Sequence, residues 1–291
     1  MKLLLSLFII LTLQSCSSSN YKFYSTDEIQ KKVNTNTTTL DSYMLEGGSW
    51  VNNQPLYVNR DFDFAMAMSL EMIGPAIAAG KRISDNQESA KLLQTMPEIN
   101  LSAKIKKYFS DYQMRYEQKD NLSNKDKIPV KMFGLLYGGD KARLLSILEV
   151  DKDKGNHAEE KAKNNESISS LLANNIGTQK DMVLRVIQAS KELPLTGETS
   201  WTAGEGTNIQ KFLEQSAPRL VSLFWSYQSN FIKENSNLAL PAKIEKLTLN
   251  QDVQCSLGGN LILKGKNVSK DQKTYVFVAD NMPNTLISCD R

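Results

Sequence analysis

Apolar residues along this chain change their period several times, and each change predicts an element. After Asn100, Leu101, Ile105, Tyr108, Phe109, Tyr112 and Tyr116 recur at helical spacing, with Lys104, Lys106, Lys107 and Asp111 between them. The spacing predicts an amphipathic helix whose tyrosine rings pack and whose hydroxyls reach water or a partner, rather than a binding cleft. A longer helix is predicted from Thr207 or Asn208 to about residue 233. Its buried stripe comprises Ile209, Phe212, Leu213, Ser216, Leu220, Leu223, Phe224 and Tyr227, and Pro218 is expected to kink or divide it. A third helical pattern runs over 62–73, capped by Asn59 or Asp61, and continues past Gly74-Pro75 as a small-residue segment to Gly80. The stretch 64–80 is too short to span a bilayer. A helix lying on a membrane surface would be flanked by more cations than Lys81 and Arg82, so a buried helix hairpin is the expectation.

Strand patterns fill much of the remainder. Val130, Met132 and Leu135-Leu136-Tyr137 precede Gly138-Gly139-Asp140, and a second apolar run over 144–150 follows. This predicts an antiparallel hairpin whose second strand, apolar on more than one face, lies inside a sheet. Residues 43–45 and 55–58 predict two short strands around Gly47-Gly48-Ser49-Trp50 and Asn52-Asn53, with Trp50 packed on its hairpin neighbours. Another strand is predicted over 182–189. From residue 243 onward the pattern is all-β, with strands at 244–249, 260–263, 274–279 and 286–288. The implied fold class is α+β, an antiparallel sheet with helices packed on one face plus a small all-β C-terminal module. The implied division is 1–15, 16–60, 61–238 and 239–291.

Two stretches lack any period. Residues 151–165, DKDKGNHAEEKAKNN, hold no apolar side chain larger than Ala and predict a solvated turn or loop, with a short helix to follow over 166–176. Residues 192–206, ELPLTGETSWTAGEG, form a Gly-rich loop leading into the long helix.

The first twenty residues, MKLLLSLFIILTLQSCSSSN, behave differently again. Lys2, an apolar run over 3–13 broken only by Ser6 and Thr12, and small residues before a cut site describe a secretory signal. Leu13-Gln14-Ser15-Cys16 resembles the lipobox of bacterial lipoproteins, in which cleavage falls just before a lipidated cysteine; Gln14 stands where that family has a small residue. The resemblance implies a mature chain that begins at Cys16 carrying three acyl chains, enough for stable anchoring. Ser17 and Ser18 follow, with no Asp to favour inner-membrane retention. The resemblance therefore implies the Gram-negative outer membrane, with the polypeptide in the periplasm on a short polar tether.

Composition adds exclusions. A formal net charge of +3 with interspersed signs offers no basic stripe for phosphate neutralisation, so nucleic acid is not an expected partner. The chain has 3 cysteines. With Cys16 lipidated, Cys255 and Cys289 form an even pair in an oxidising compartment, where a bridge would close a loop of about 35 residues and contribute roughly 3–4 kcal/mol. Two free buried thiols are the alternative.

Catalytic constellations are hard to find. The single histidine, His157, lies in the polar loop, where nothing would hold its imidazole rigid beside a carboxylate. GETSWTAG lacks nucleophile-elbow spacing around Ser200. Gly259 to Gly265-Lys266 fails the phosphate-loop spacing, and Asn267 replaces its hydroxyl. The segment from Asp151 has its Gly early for a calcium loop and Ala162 in the place of the bidentate acid. No metal ligands, cofactor or catalytic residues are assigned. One candidate ligand site remains: Glu198, Ser200, Trp201 and Glu205, acids, a hydroxyl and an aromatic ring on one Gly-rich loop. The structural alternative makes Trp201 a plug between helix and sheet.

Between about residues 62 and 235 the layout resembles envelope lipoproteins of Gram-negative bacteria, on the strength of the 74–80 segment, the hairpin at Gly138-Gly139 and LPLTGETSW before a helix. It is similar, more distantly, to the periplasmic domains of curli-secretion and transporter-auxiliary lipoproteins. The expectation is a lipid-anchored periplasmic protein, a non-catalytic scaffold or accessory subunit with an envelope protein partner. The alternatives are a small-ligand or glycan module, or a hydrolase, centred on the Trp201 loop, and a membrane-surface protein using residues 64–80.

Overall fold

The computed structural model describes residues 21–34, 42–60, 75–116, 127–151, 183–235, 252–258, 261–267, 274–279 and 282–290. The signal and Cys16, the helix expected over 62–73, the polar segment with His157, and the strand expected over 244–249 lie outside them. The described elements run β1 (Tyr21–Phe23), α1 (Thr26–Asn34), α2 (Ser42–Leu45), β2 (Ser49–Trp50), β3 (Leu56–Asn59), α3 (Pro75–Leu92), α4 (Leu101–Tyr116), β4 (Ile128–Gly138), β5 (Lys141–Asp151), β6 (Val183–Pro194), α5 (Ala203–Asn235), β7 (Asp252–Gly258), β8 (Leu261–Asn267), β9 (Thr274–Ala279) and β10 (Met282–Asp290).

The strands share one sheet in the order β2-β3-β4-β5-β6-β10-β9-β8-β7, and β1 also pairs with β4. Most joins are antiparallel; β1–β4, β3–β4 and β6–β10 are parallel. The apolar runs of β4 and β5 reflect burial on both faces. Met132, Leu136, Leu144 and Leu148 meet one core with Ile105 and Phe109 of α4 and Leu213, Leu220 and Phe224 of α5. Phe133, Leu135, Tyr137, Leu145 and Ile147 meet a second core with Cys255, Leu257, Leu263 and Phe277 of the C-terminal strands. The class is α+β, with the long helices on one face of a mostly antiparallel sheet and a cluster of strands at the C-terminus.

Those C-terminal strands extend the sheet through β10, and then roll over it. In sheet order β7 stands three places from β10, which in a flat sheet is roughly 14 Å. A disulfide nonetheless joins Cys255 of β7 to Cys289 of β10, with their Cα atoms 6.3 Å apart. The bend falls between β8 and β9, which pair only over Gly265–Asn267 against Phe277–Ala279. β7 thereby lies across β4 and β5, and Gly258 (φ 117°) sits so close to the Tyr137 carbonyl that a Cβ would collide with it.

Several local expectations change. Residues 43–45 belong to α2 rather than a strand; the two strands of that region are β2 and β3, and Trp50 packs edge-on to Tyr57 with centroids 5.0 Å apart. Asn59 caps no described helix: it donates to the Met44 carbonyl (2.6 Å) and accepts from Arg82 (3.1 Å), tying β3 to α2 and α3. Pro75 opens α3, where its missing N–H costs nothing, and the helix continues to Leu92. α5 is not divided at Pro218, its non-helical dihedrals being confined to residues 204–206, and Ala217, Leu220 and Val221 around the proline are buried in the helix-side core.

Candidate functional site

The loop between β6 and α5 is built largely from its own hydrogen bonds. The backbone amides of Trp201 and Thr202 donate to the carbonyls of Pro194 (2.9 Å) and Leu195 (3.1 Å), folding the loop back on the end of β6. Ser200 Oγ donates to the Gly197 carbonyl at 2.6 Å, and Asn208 of α5 holds the Ser200 carbonyl at 2.8 Å. Trp201 is 3% exposed; its Nε1 donates to the Ala142 carbonyl at 2.7 Å and its ring meets Phe212 edge-on. The indole therefore offers no face to a ligand and acts as the plug between helix and sheet. Ser200 is likewise buried, while Glu198 and Glu205 are exposed to solvent. A glycan or hydrolase site on this loop would have lost both its aromatic platform and its hydroxyl.

Three consecutive residues enter α5 in the left-handed region: Gly204 (φ 55°), Glu205 (φ 56°) and Gly206 (φ 80°). Glycine serves the outer positions; at Gly206 a Cβ would also press within 2.7 Å of Met96 Sδ. Thr207 then donates to the Gly204 carbonyl and the right-handed helix begins, as expected from Thr207.

Pattern reading missed a second constellation. Lys131, Glu149, Arg185 and Thr285 occupy successive cross-strand positions on β4, β5, β6 and β10, one row running across four strands. Glu149 is fully buried, and Lys131 and Arg185 nearly so. Arg185 Nε donates to Glu149 Oε1 at 3.0 Å, Lys131 Nζ lies 3.1 Å from Oε2, and Arg185 also reaches Thr285 Oγ1 at 3.3 Å. A carboxylate taken out of water needs such company. The row fixes register: a one-residue slip of any strand would turn its member to the opposite face and leave the others unmatched. The available signal was one charge flanked by apolar residues in each of three strands, as in PVKMF, ILEV and VLRVI.

At the same end of the sheet opens a polar cleft of about 790 Å3, bounded by β1 and by the starts of α1 and α4. Both helix starts have caps. Ser25 and Glu28 bond reciprocally, backbone amide to carboxylate at 3.0 Å and amide to hydroxyl at 3.4 Å, and Asn100 Oδ1 accepts from the Ala103 amide at 2.9 Å. Ser102 Oγ bonds the Tyr24 carbonyl and so links α4 to the end of β1. Lys22 pairs with Glu28 at 3.0 Å. The Ser25 amide, and then Lys22, hold the Glu28 carboxyl below its ordinary range. Among the described residues no group of three or more His, Cys, Asp or Glu could hold a metal ion. Protein-family models, curated proteins and solved structures provide no match to this chain.

Proposed function

We propose that this chain is a lipid-anchored protein of the periplasmic face of the outer membrane, acting as a non-catalytic scaffold or accessory subunit of a cell-envelope complex. One observation carries the reading: Leu13-Gln14-Ser15-Cys16 at the end of a short apolar run behind Lys2. The Cys255–Cys289 disulfide is consistent with an oxidising compartment and leaves Cys16 as the one unpaired thiol of the 3 cysteines. The character of the Trp201 loop supports the non-catalytic part, since its aromatic ring and hydroxyl are engaged inside the fold.

Metabolic labelling with a palmitate analogue tests the anchor: label enters wild type and is lost in Cys16→Ser, and label that persists in Cys16→Ser refutes it. The scaffold role predicts that a tagged wild type retains one defined envelope partner through detergent extraction and that the Cys16→Ser chain, left without its membrane, recovers far less of it. Hydrolysis of cell-wall sugars by the purified chain, abolished by Glu198→Gln or Glu205→Gln, would refute the non-catalytic assignment.

A further inference from the structure

We infer that the cleft end of the sheet is the surface this protein turns to the bilayer, and that its partner there is the zwitterionic phospholipid head group. The inference rests on the anchor assigned above to Cys16. Four residues separate Cys16 from Tyr21, and the five backbone steps between them reach at most about 18 Å when fully extended. The start of β1 is thus held within that distance of the acylated sulfur. β1 lies alongside the start of β4, Tyr21 beside Ile128, and runs parallel to it. β4 then carries the chain 11 residues away, about 33 Å, to the Gly138 turn, over which the Trp201 loop is bonded through Asp140 and Ala142. The tether is too short for the two ends to exchange places, so the Tyr21 end faces the membrane and the Trp201 loop points away from it.

The chemistry of that end selects the partner. Lys22, Lys106 and Lys127 line the cleft together with Asp27, Glu28 and Glu98, three charges of each sign. A surface that recruits anionic lipid carries a cluster of four to eight cations. A charge-balanced, open cleft instead matches a head group that bears a phosphate and an ammonium together. Contact through it should depend little on salt, because neither surface carries a net charge to be screened.

The test uses the full lipidated chain bound to phosphatidylcholine vesicles, with a fluorophore on one introduced cysteine. Cys255 and Cys289 are paired and Cys16 is acylated, so no other thiol competes. Ala103→Cys places the label at the cleft and Thr199→Cys places it on the far loop; both positions are exposed. Glu98→Cys against Glu198→Cys gives a second pair should either of the first two fold poorly. A head-group-borne quencher is expected to quench the cleft labels at least threefold more than the loop labels, at low and at high salt alike. Equal quenching of both ends, or stronger quenching of the loop, in vesicle-bound protein overturns the orientation while leaving the anchor intact. A quenching contrast that appears only with phosphatidylglycerol vesicles overturns the zwitterionic partner. Wild-type chain that does not bind vesicles, or Cys16→Ser chain that binds equally well, overturns the anchor and this inference with it.

Discussion

Glu205 shows how a residue that attracts attention in a sequence can owe its place to geometry. It was a candidate for ligand binding because it shares a Gly-rich loop with Glu198 and Trp201, yet its carboxylate is exposed and its backbone is left-handed at φ 56°. An L-residue in that region costs about 1–2 kcal/mol, which glycine avoids while losing part of the gain to its greater freedom in the unfolded chain. Glu205→Gly should therefore stabilise the fold by about 0.5–1 kcal/mol, read as a rise in the urea midpoint with an unchanged slope. A fall would mean that the Glu205 side chain makes a stabilising interaction. Glu149 is the opposite case, unremarkable in sequence and fully buried between Arg185 and Lys131. Glu149→Leu leaves two buried cations without their carboxylate and should cost about 3–5 kcal/mol, the usual penalty for removing one partner of a buried pair. A loss below about 1 kcal/mol in the same denaturation experiment would show that the row does not depend on Glu149.

At the scale of elements, α1 carries a start signal that pattern reading passed over. Ser25 and Glu28 spell the reciprocal cap, but the helix is short, and among its described side chains only Ile29 is large, apolar and fully buried. β1 and β2, of 3 and 2 residues, are likewise held by their neighbours rather than by any pattern of their own. The long elements were legible because their burial is regular. α4 places Leu101, Ile105 and Phe109 in the core, and the β4–β5 hairpin registers around the expected Gly138 turn. Even there, the alternation said that β5 was buried on both faces without saying that rolled C-terminal strands cover the second. Of the candidate site, the loop position and the structural alternative for Trp201 were readable. The charge row was not, because its members lie far apart in sequence and only strand register brings them together. The cap also has a pH signature. Glu28 is held below the ordinary carboxylate range by the Ser25 amide first and Lys22 second, and Glu214 by a hydrogen bond from Lys104. A carboxyl lowered in the folded state adds stability above the unfolded value of about 4.3 and loses it as pH falls through the folded value. The Glu28→Gln/Glu214→Gln double variant should thus be less stable than wild type at pH 7 and converge with it near pH 3. Because the two side chains are 41% and 35% exposed, the difference should be small and should shrink in high salt. Parallel pH curves for the two proteins would contradict this account.

For the whole molecule, the decisive contact is the one that keeps the sheet rolled. β10 enters the sheet beside β6, and among the described residues β7 and β8 are held against the face of β4 and β5 by the narrow β8–β9 junction, the apolar side chains of the second core and the disulfide. The 34-residue separation of Cys255 and Cys289 makes their disulfide the covalent closure of that roll. Removing the constraint should cost roughly 3–4 kcal/mol through the added freedom of the unfolded chain. The structural consequence should be uneven. In a Cys255→Ala/Cys289→Ala variant, hydrogen exchange is expected to speed up first in β7 and β8, while β4, β5 and β6, held by the helix-side core and the Lys131–Glu149–Arg185 row, keep their protection up to the new global limit. The same ordering should appear in wild type treated with reductant. If protection instead fell uniformly across all strands, the C-terminal strands and the helix-backed sheet would unfold as one cooperative unit. The disulfide would then stabilise the entire fold without any local role in holding β7 over Tyr137.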